Sequence, residues 1–67
     1  MKMDVIDRIL ALLKERNIAE VEFYKAIGVD KSTFSRWKSR EFKVSLSSLT
    51  KIANYFDMTV DSLIKTE

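Results

Sequence analysis

The sequence predicts an all-α fold of five short helices, and three observations lead to that prediction. Apolar residues recur at intervals of three and four in five segments of the 67-residue chain, which is the spacing of one helix face. The chain has one glycine and no proline, too few for the tight turns of a β-sandwich or barrel. Its length suits one domain, with a core so small that oligomerisation would help to stabilise it. We therefore expect residues 1–67 to form a single domain.

The first two helices are predicted over residues 4–16 and 19–27. The apolar face of the first is formed by Ile6, Ile9, Leu10 and Leu13. The apolar set of the second is Val21, Phe23, Tyr24, Ala26 and Ile27. Gly28 follows directly, and because glycine adopts a positive φ without steric penalty, we expect the second helix to end there.

Three further helices are predicted after Gly28, each preceded by a residue that can cap it. Asp30 caps a helix from 31 to 39, and residues 40–44 form a connection. Ser45 caps a helix over 46–56, whose apolar stripe is Leu46, Leu49, Ile52, Ala53 and Phe56. Thr59 caps a last helix that ends at Ile64. Its apolar residues are expected to face inward, either in the core or at a dimer seam: Val60, Leu63 and Ile64.

Positive charge is concentrated in one block of the sequence. The formal net charge is only +2, but residues 31–51 contain six basic residues and one acidic residue. The segments before and after this block each carry a net negative charge. A clustered basic segment is typical of a nucleic-acid-binding surface, although scattered surface charge is also found on ordinary solvated faces.

The spacing of the second and third helices carries the functional prediction. Between Ala19 and Trp37 a short helix, a tight turn at Gly28 and a second helix follow one another, as in a helix-turn-helix. In such a pair the second helix can enter the ~12 Å wide major groove of DNA. Phe34 and Trp37 share a face, and we expect them in the core rather than stacked on bases. The opposite face carries cations and hydroxyls: Lys31, Ser32, Ser35, Arg36 and Ser39.

These segments resemble the phage-repressor/Cro (XRE-like) helix-turn-helix DNA-binding family. The stretch GVDKSTFSRWKS is similar to the turn and recognition helix of that family. The stretch SLSSLTKIANYFDMTVDSLI is similar to its fourth and fifth helices. The resemblance covers residues 5–64 and implies a compact five-helix lambda-repressor-like domain with a helix-turn-helix formed by helices 2 and 3. It also implies a repressor/Cro-like transcriptional regulator that binds double-stranded DNA as a homodimer. Repression by occupying a promoter and activation are equally compatible with the sequence.

The resemblance also implies which residues contact DNA. Base contacts are implied for Lys31, Ser32, Ser35 and Arg36. Phosphate contacts are implied for the start of the second helix and for Lys38, Ser39, Arg40 and Lys43.

Several positions depart from the family's pattern. Glu20 stands where the family usually has a phosphate-contacting glutamine, and DNA would repel this carboxylate unless Lys25 or another cation neutralises it. Tyr24 stands where the family usually has alanine, at the close approach of the two helices. Arg40 replaces the usual glycine after the recognition helix. Lys38 replaces a usual glutamate and makes the surface more basic.

Two other classes of function are alternatives to DNA binding. A protein-interaction module with weak or no DNA binding is the alternative, because a fold does not fix a function and Glu20 and Tyr24 are unusual. An enzyme is not expected, since the chain has no histidine and no cysteine and therefore lacks the usual nucleophile–histidine pair and zinc ligands. We expect no metal, cofactor or small-molecule ligand.

A membrane location is not expected either. No apolar run approaches the ~20 residues of a membrane span. The N-terminal residues MKMDVID lack the apolar region of a signal peptide. We therefore expect a cytoplasmic protein without a membrane partner.

Overall fold

The computed structural model describes residues 4–65, and within that range the chain forms five α-helices and no strand. In chain order, α1 to α5 are Val5–Glu15, Glu20–Ala26, Lys31–Lys38, Leu46–Tyr55 and Val60–Ile64. The all-α prediction is confirmed, and each helix lies within its predicted range. The differences concern single terminal residues, which cap the helices instead of lying inside them.

Side chains satisfy the free N–H groups at the start of most of these helices. The Asp4 carboxylate accepts the N–H of Ile6 at 2.8 Å, and Asp7 completes a capping box with Asp4. The N-cap of α2 is Ala19, whose side chain makes no capping hydrogen bond. The three N-caps predicted from the sequence each accept the N–H three residues ahead: Asp30, Ser45 and Thr59.

The first four helices share one type of C-terminus. After each helix one residue adopts a left-handed backbone conformation, and the next N–H donates to the carbonyl five residues earlier. This is the Schellman arrangement, which lets the chain reverse within two residues. Only the second helix uses glycine at the left-handed position. The four residues, with φ values of 58°, 76°, 66° and 59°, are Asn17, Gly28, Arg40 and Asp57.

All five helices contribute to one apolar core. Phe23 of α2 is fully buried at its centre, where its ring lies 5.6 Å from those of Phe34 and Phe56. Helix α5 packs against α1 and α4, whereas α2 packs against α3. The buried residues are Ile6, Ile9, Leu12, Leu13, Phe23, Ile27, Phe34, Trp37, Ile52, Ala53, Phe56 and Leu63. The helix-turn-helix is therefore held on the rest of the fold through its aromatic side chains.

Three large apolar residues of the predicted apolar sets are in fact exposed. Val21, in the first turn of α2, is 46% exposed. Leu46 is 71% exposed because it is the first residue of α4 and extends past the edge of the core. Ile64 is 44% exposed, whereas its neighbour Leu63 is fully buried and Val60 is half-buried against the core. A helix of five residues has one inward face, and in α5 Leu63 occupies it. Of the alternatives for this helix, Leu63 belongs to the core and Ile64 lies outside it.

Candidate nucleic-acid interface

The turn that joins α2 to α3 is built from a left-handed residue and a capping carboxylate. Gly28 has a φ of +76° and ends α2. Two residues later, the Asp30 carboxylate accepts the Thr33 N–H at 3.0 Å and starts α3. Hydrogen bonds from the Thr33 side chain and N–H hold the pKa of Asp30 below its usual value. The ionised carboxylate is therefore the form that caps α3.

Helix α3 is oriented by two buried aromatic residues. Phe34 and Trp37 lie on the same side of the helix, with their rings 6.3 Å apart, and both are almost completely buried. This confirms that they belong to the core. The opposite side is directed to solvent and brings together the predicted base-contact residues, all of them exposed: Lys31, Ser32, Ser35 and Arg36.

The Arg36 side chain has an aromatic neighbour that the sequence did not predict. Its guanidinium carbon lies 5.1 Å from the centre of the Phe42 ring. Phe42 lies in the connection between α3 and α4 and is 48% exposed. Its only sequence signal was an apolar aromatic residue within an otherwise charged stretch, Arg40 to Lys43.

Lys38 neutralises the unusual carboxylate at the start of α2. Its ammonium lies 2.8 Å from the Glu20 carboxylate, and the two side chains are 37% and 47% exposed. The same ammonium lies 5.2 Å from the centre of the Phe34 ring. The cation beside Glu20 is therefore Lys38, and the predicted phosphate-contact residue already has an anionic partner within the protein.

Arg40 also has anionic partners within the protein. Its guanidinium donates to Asp4 at 3.1 Å and to Asp7 at 2.6 Å, and it also donates to the carbonyl of Lys38 at 2.7 Å. The hydrogen bond from Arg40 holds the pKa of Asp7 below its usual value, and the same bond raises the pKa of Arg40. Arg40 thus joins the start of α1 to the end of α3.

The other predicted phosphate-contact residues lie beside Arg40 in the chain. Ser39 is exposed, and its hydroxyl donates to the carbonyl of Arg36 at 3.1 Å. Lys43 is exposed and lines a groove of about 480 Å³ together with Trp37 and Val44. Within residues 4–65 no ion pair engages Lys31, Arg36 or Lys43. Among these three cations, Arg36 is close enough to the Asp30 carboxylate to help lower the pKa of Asp30, but it forms no ion pair with it.

Tyr24 fills space between α2 and α3. The residue is half-buried, and its ring lies 5.8 Å from that of Phe34. It lines a hollow of about 250 Å³ together with Glu20, Lys31 and Lys38. Tyr24 therefore packs between the two helices and lines the same hollow as Lys31 and Lys38.

Two negative findings apply to the described residues. Residues 4–65 contain no cluster of three acidic, histidine or cysteine side chains able to hold a metal ion. No helix in that range combines the length and apolarity needed to span a membrane.

Comparisons with known proteins agree with the fold and with the family resemblance. The family model of the Cro/C1-type HTH DNA-binding domain matches residues 2–67. Among solved structures, the chain is similar to a transcriptional regulator from Listeria innocua, with a TM-score of 0.78 and 22% sequence identity. That likeness covers 96% of this chain but 59% of the other, so this chain spans about three-fifths of that regulator's length. No curated protein matches the sequence significantly.

Proposed function

Because this chain belongs to the Cro/C1-type helix-turn-helix DNA-binding domain family, we propose that it is a sequence-specific transcriptional regulator that binds double-stranded DNA through α3. One observation carries the proposal. The buried side of α3 is fixed by Phe34 and Trp37, so its outer side presents exposed cations and hydroxyls immediately after the tight turn at Gly28. A helix of this kind can enter the major groove.

The residues of the outer surface divide into two roles. Arg36 and Lys31 are long cations that can donate to the O6 and N7 atoms of guanine, a contact that discriminates between bases by ~1–3 kcal/mol. Ser32 and Ser35 can hydrogen-bond base edges at closer range. Phosphate contacts, which supply affinity without sequence preference, are assigned to Lys38, Ser39, Arg40 and Lys43.

We further propose that the chain binds as a homodimer and acts as a repressor of the Cro kind by occupying a promoter. The small core of a chain of 67 residues supports self-association, because contact with a second copy would bury further apolar surface. Two copies would read half-sites about one helical turn, ~34 Å, apart.

Selection of random duplex DNA by the purified protein, at two salt concentrations, tests the proposal. Recovery of a two-fold-symmetric sequence, with affinity that falls steeply with salt, is the expected result. A single unpaired half-site would overturn the dimer but keep the DNA-binding role. Recovery of no sequence at low salt would overturn DNA binding itself.

Arg36→Ala and Lys43→Ala form a matched pair for the two assigned roles. Arg36→Ala is expected to weaken binding to the selected site by ~1–3 kcal/mol while affinity for random DNA changes little. Lys43→Ala is expected to weaken binding to both duplexes alike and to reduce the salt slope by about one. Dissociation constants on both duplexes, measured at several salt concentrations, check this. Equal losses on both duplexes for Arg36→Ala would remove it from the base contacts.

A protein-interaction module remains a second candidate function, because Lys38 and Arg40 are paired with carboxylates of the same chain. The double charge reversal Arg36→Glu and Lys38→Glu discriminates between the two candidates. Loss of DNA binding by this variant supports the regulator. A wild-type chain that captures a protein but no DNA, and loses that protein in the same variant, supports the interaction module.

A further inference from the structure

Phe42 is an exposed aromatic side chain outside the buried core. Single exposed apolar residues are common, so exposure alone assigns no role to it. The role of Phe42 is indicated by its contact with Arg36. The guanidinium carbon of Arg36 lies 5.1 Å from the centre of the Phe42 ring, within the ~6 Å range of a cation–π interaction. Its neighbour is thus the arginine assigned to base contact.

The backbone holds Phe42 in this position. The carbonyl of Arg36 accepts the N–H of Glu41 at 3.0 Å and that of Phe42 at 3.3 Å. The chain can turn back in this way because Arg40 adopts a φ of +66°. Phe42 is therefore fixed by main-chain hydrogen bonds to the same residue whose side chain it touches.

We propose that Phe42 is a positioning residue that determines sequence specificity by restricting the Arg36 guanidinium in the unbound protein. An arginine side chain has many rotamers, and their loss on binding opposes association. A bidentate contact to guanine requires one geometry, whereas phosphate contacts accept several. Because the Phe42 ring already restricts the Arg36 side chain in the unbound protein, Arg36 loses less conformational entropy when it binds a guanine edge. This inference rests on the proposed function.

The variants Phe42→Leu and Phe42→Tyr separate the aromatic ring from simple apolar bulk. Leucine keeps an apolar contact but has no aromatic face, and tyrosine keeps the face. The measured quantity is the ratio of affinities for the selected site and for random duplex at one salt concentration. Phe42→Leu is expected to lower this ratio by about two- to five-fold, as expected for an exposed cation–π contact. Phe42→Tyr should keep it, and both variants should melt near the wild-type temperature because residue 42 lies outside the core.

Two further measurements show whether the effect passes through Arg36. In an Arg36→Ala background, Phe42→Leu should change the ratio no further, since the side chain that it positions is absent. In the unbound protein, NMR should find the Arg36 side-chain resonances displaced by the aromatic ring in the wild type and in Phe42→Tyr. The displacement should disappear in Phe42→Leu.

The outcomes are distinguishable. The proposal is supported if Phe42→Leu lowers the affinity ratio, Phe42→Tyr does not, and Phe42→Leu has no further effect when Arg36 is already alanine. The proposal would be overturned if Phe42→Leu left the affinity ratio unchanged, including by an equal loss on both duplexes. It would also be overturned if the Arg36 resonances of the wild type were not displaced. Neither result would contradict the proposed role as a DNA-binding regulator. Failure of the wild type to bind any duplex would overturn the proposed function and the specificity role of Phe42 together.

Discussion

The cations that we propose to contact DNA differ in their local environments. Each environment affects how readily the cation can bind a phosphate or a base. Lys38 is paired with Glu20, and Arg40 is paired with Asp4 and Asp7. Exposed ion pairs contribute only ~0–1 kcal/mol to stability. A DNA phosphate can therefore compete with these carboxylates for the cation. We therefore expect these pairs to reduce the affinity for DNA without preventing binding.

Glu20→Gln is expected to increase affinity for duplex DNA by about two- to five-fold, the scale of one exposed ion pair. The change removes a negative charge from the surface and releases Lys38, so the dependence on salt should steepen by about one phosphate contact. Selected and random duplexes should gain alike, because phosphate contacts do not read sequence. Binding titrations of both duplexes at several salt concentrations measure these effects.

Glu22→Gln is the matched control for this prediction. It removes the same charge from the same first turn of α2, but within residues 4–65 Glu22 makes no ion pair. Its salt dependence should therefore stay close to that of the wild type. If both glutamine variants gained the same affinity and slope, overall charge would explain the effect and Lys38 would have no special part in it.

At the scale of the helices, most of the fold could be predicted because the information is local. Apolar spacing and capping residues lie within a few positions of one another, and they located all five helices. The end of α2 at Gly28 was also predictable. The left-handed conformation of Arg40 was not, because nothing in its side chain favours a positive φ.

Long-range pairings were the part of the site that the sequence did not reveal. Glu20 and Lys38 are 18 positions apart, and Arg40 lies 33 positions from Asp7. Such contacts depend on how α1, α2 and α3 are placed in space. The sequence showed that Glu20 needed a cation, but only the packing of α2 against α3 identifies Lys38 as that cation.

Gly28→Ala is expected to lower the free energy of unfolding by ~1–2 kcal/mol, the cost of a left-handed backbone for a residue with a Cβ. An added Cβ would meet no atom within 4 Å, so the cost would come from the backbone alone. Gly28→Asn should cost less, since asparagine tolerates this conformation better. Urea denaturation of the three proteins measures the difference. Equal stability of Gly28→Ala and the wild type would show that the turn does not require a positive φ.

At the scale of the whole molecule, two arginines join distant parts of the chain. Arg16 donates to the carbonyl of Phe56 at 3.0 Å and connects the end of α1 to the end of α4. Arg40 connects the start of α1 to the end of α3 through Asp4 and Asp7. Helix α3 is thus attached to α1 by charge as well as by the apolar core, and the charged part of this attachment is expected to depend on pH.

Asp7→Asn tests that dependence. The pKa of Asp7 is lowered by its hydrogen bond from Arg40, so the ionised carboxylate is favoured in the folded state. The stability that the ionised Asp7 carboxylate adds to the folded state is fully present above the pKa that Asp7 has in the unfolded chain, ~3.9. This stability is lost as pH falls through the lower pKa that Asp7 has in the folded state. Asp7→Asn should therefore be less stable than the wild type at pH 6, and the two proteins should converge as pH approaches 2.

Urea denaturation at a series of pH values, with Asp61→Asn as the control, checks this prediction. Asp61 also lies in the first turn of a helix, α5, but it makes no ion pair within residues 4–65. The stability difference between Asp61→Asn and the wild type should therefore change less between pH 6 and pH 2 than the difference between Asp7→Asn and the wild type. High salt should shrink the difference between the wild type and Asp7→Asn at pH 6, because exposed charges are screened. If the free energies of unfolding of the wild type and Asp7→Asn changed in parallel from pH 2 to 6, the Arg40 ion pairs would not hold the start of α1 to α3 in solution. The apolar core alone would then orient α3.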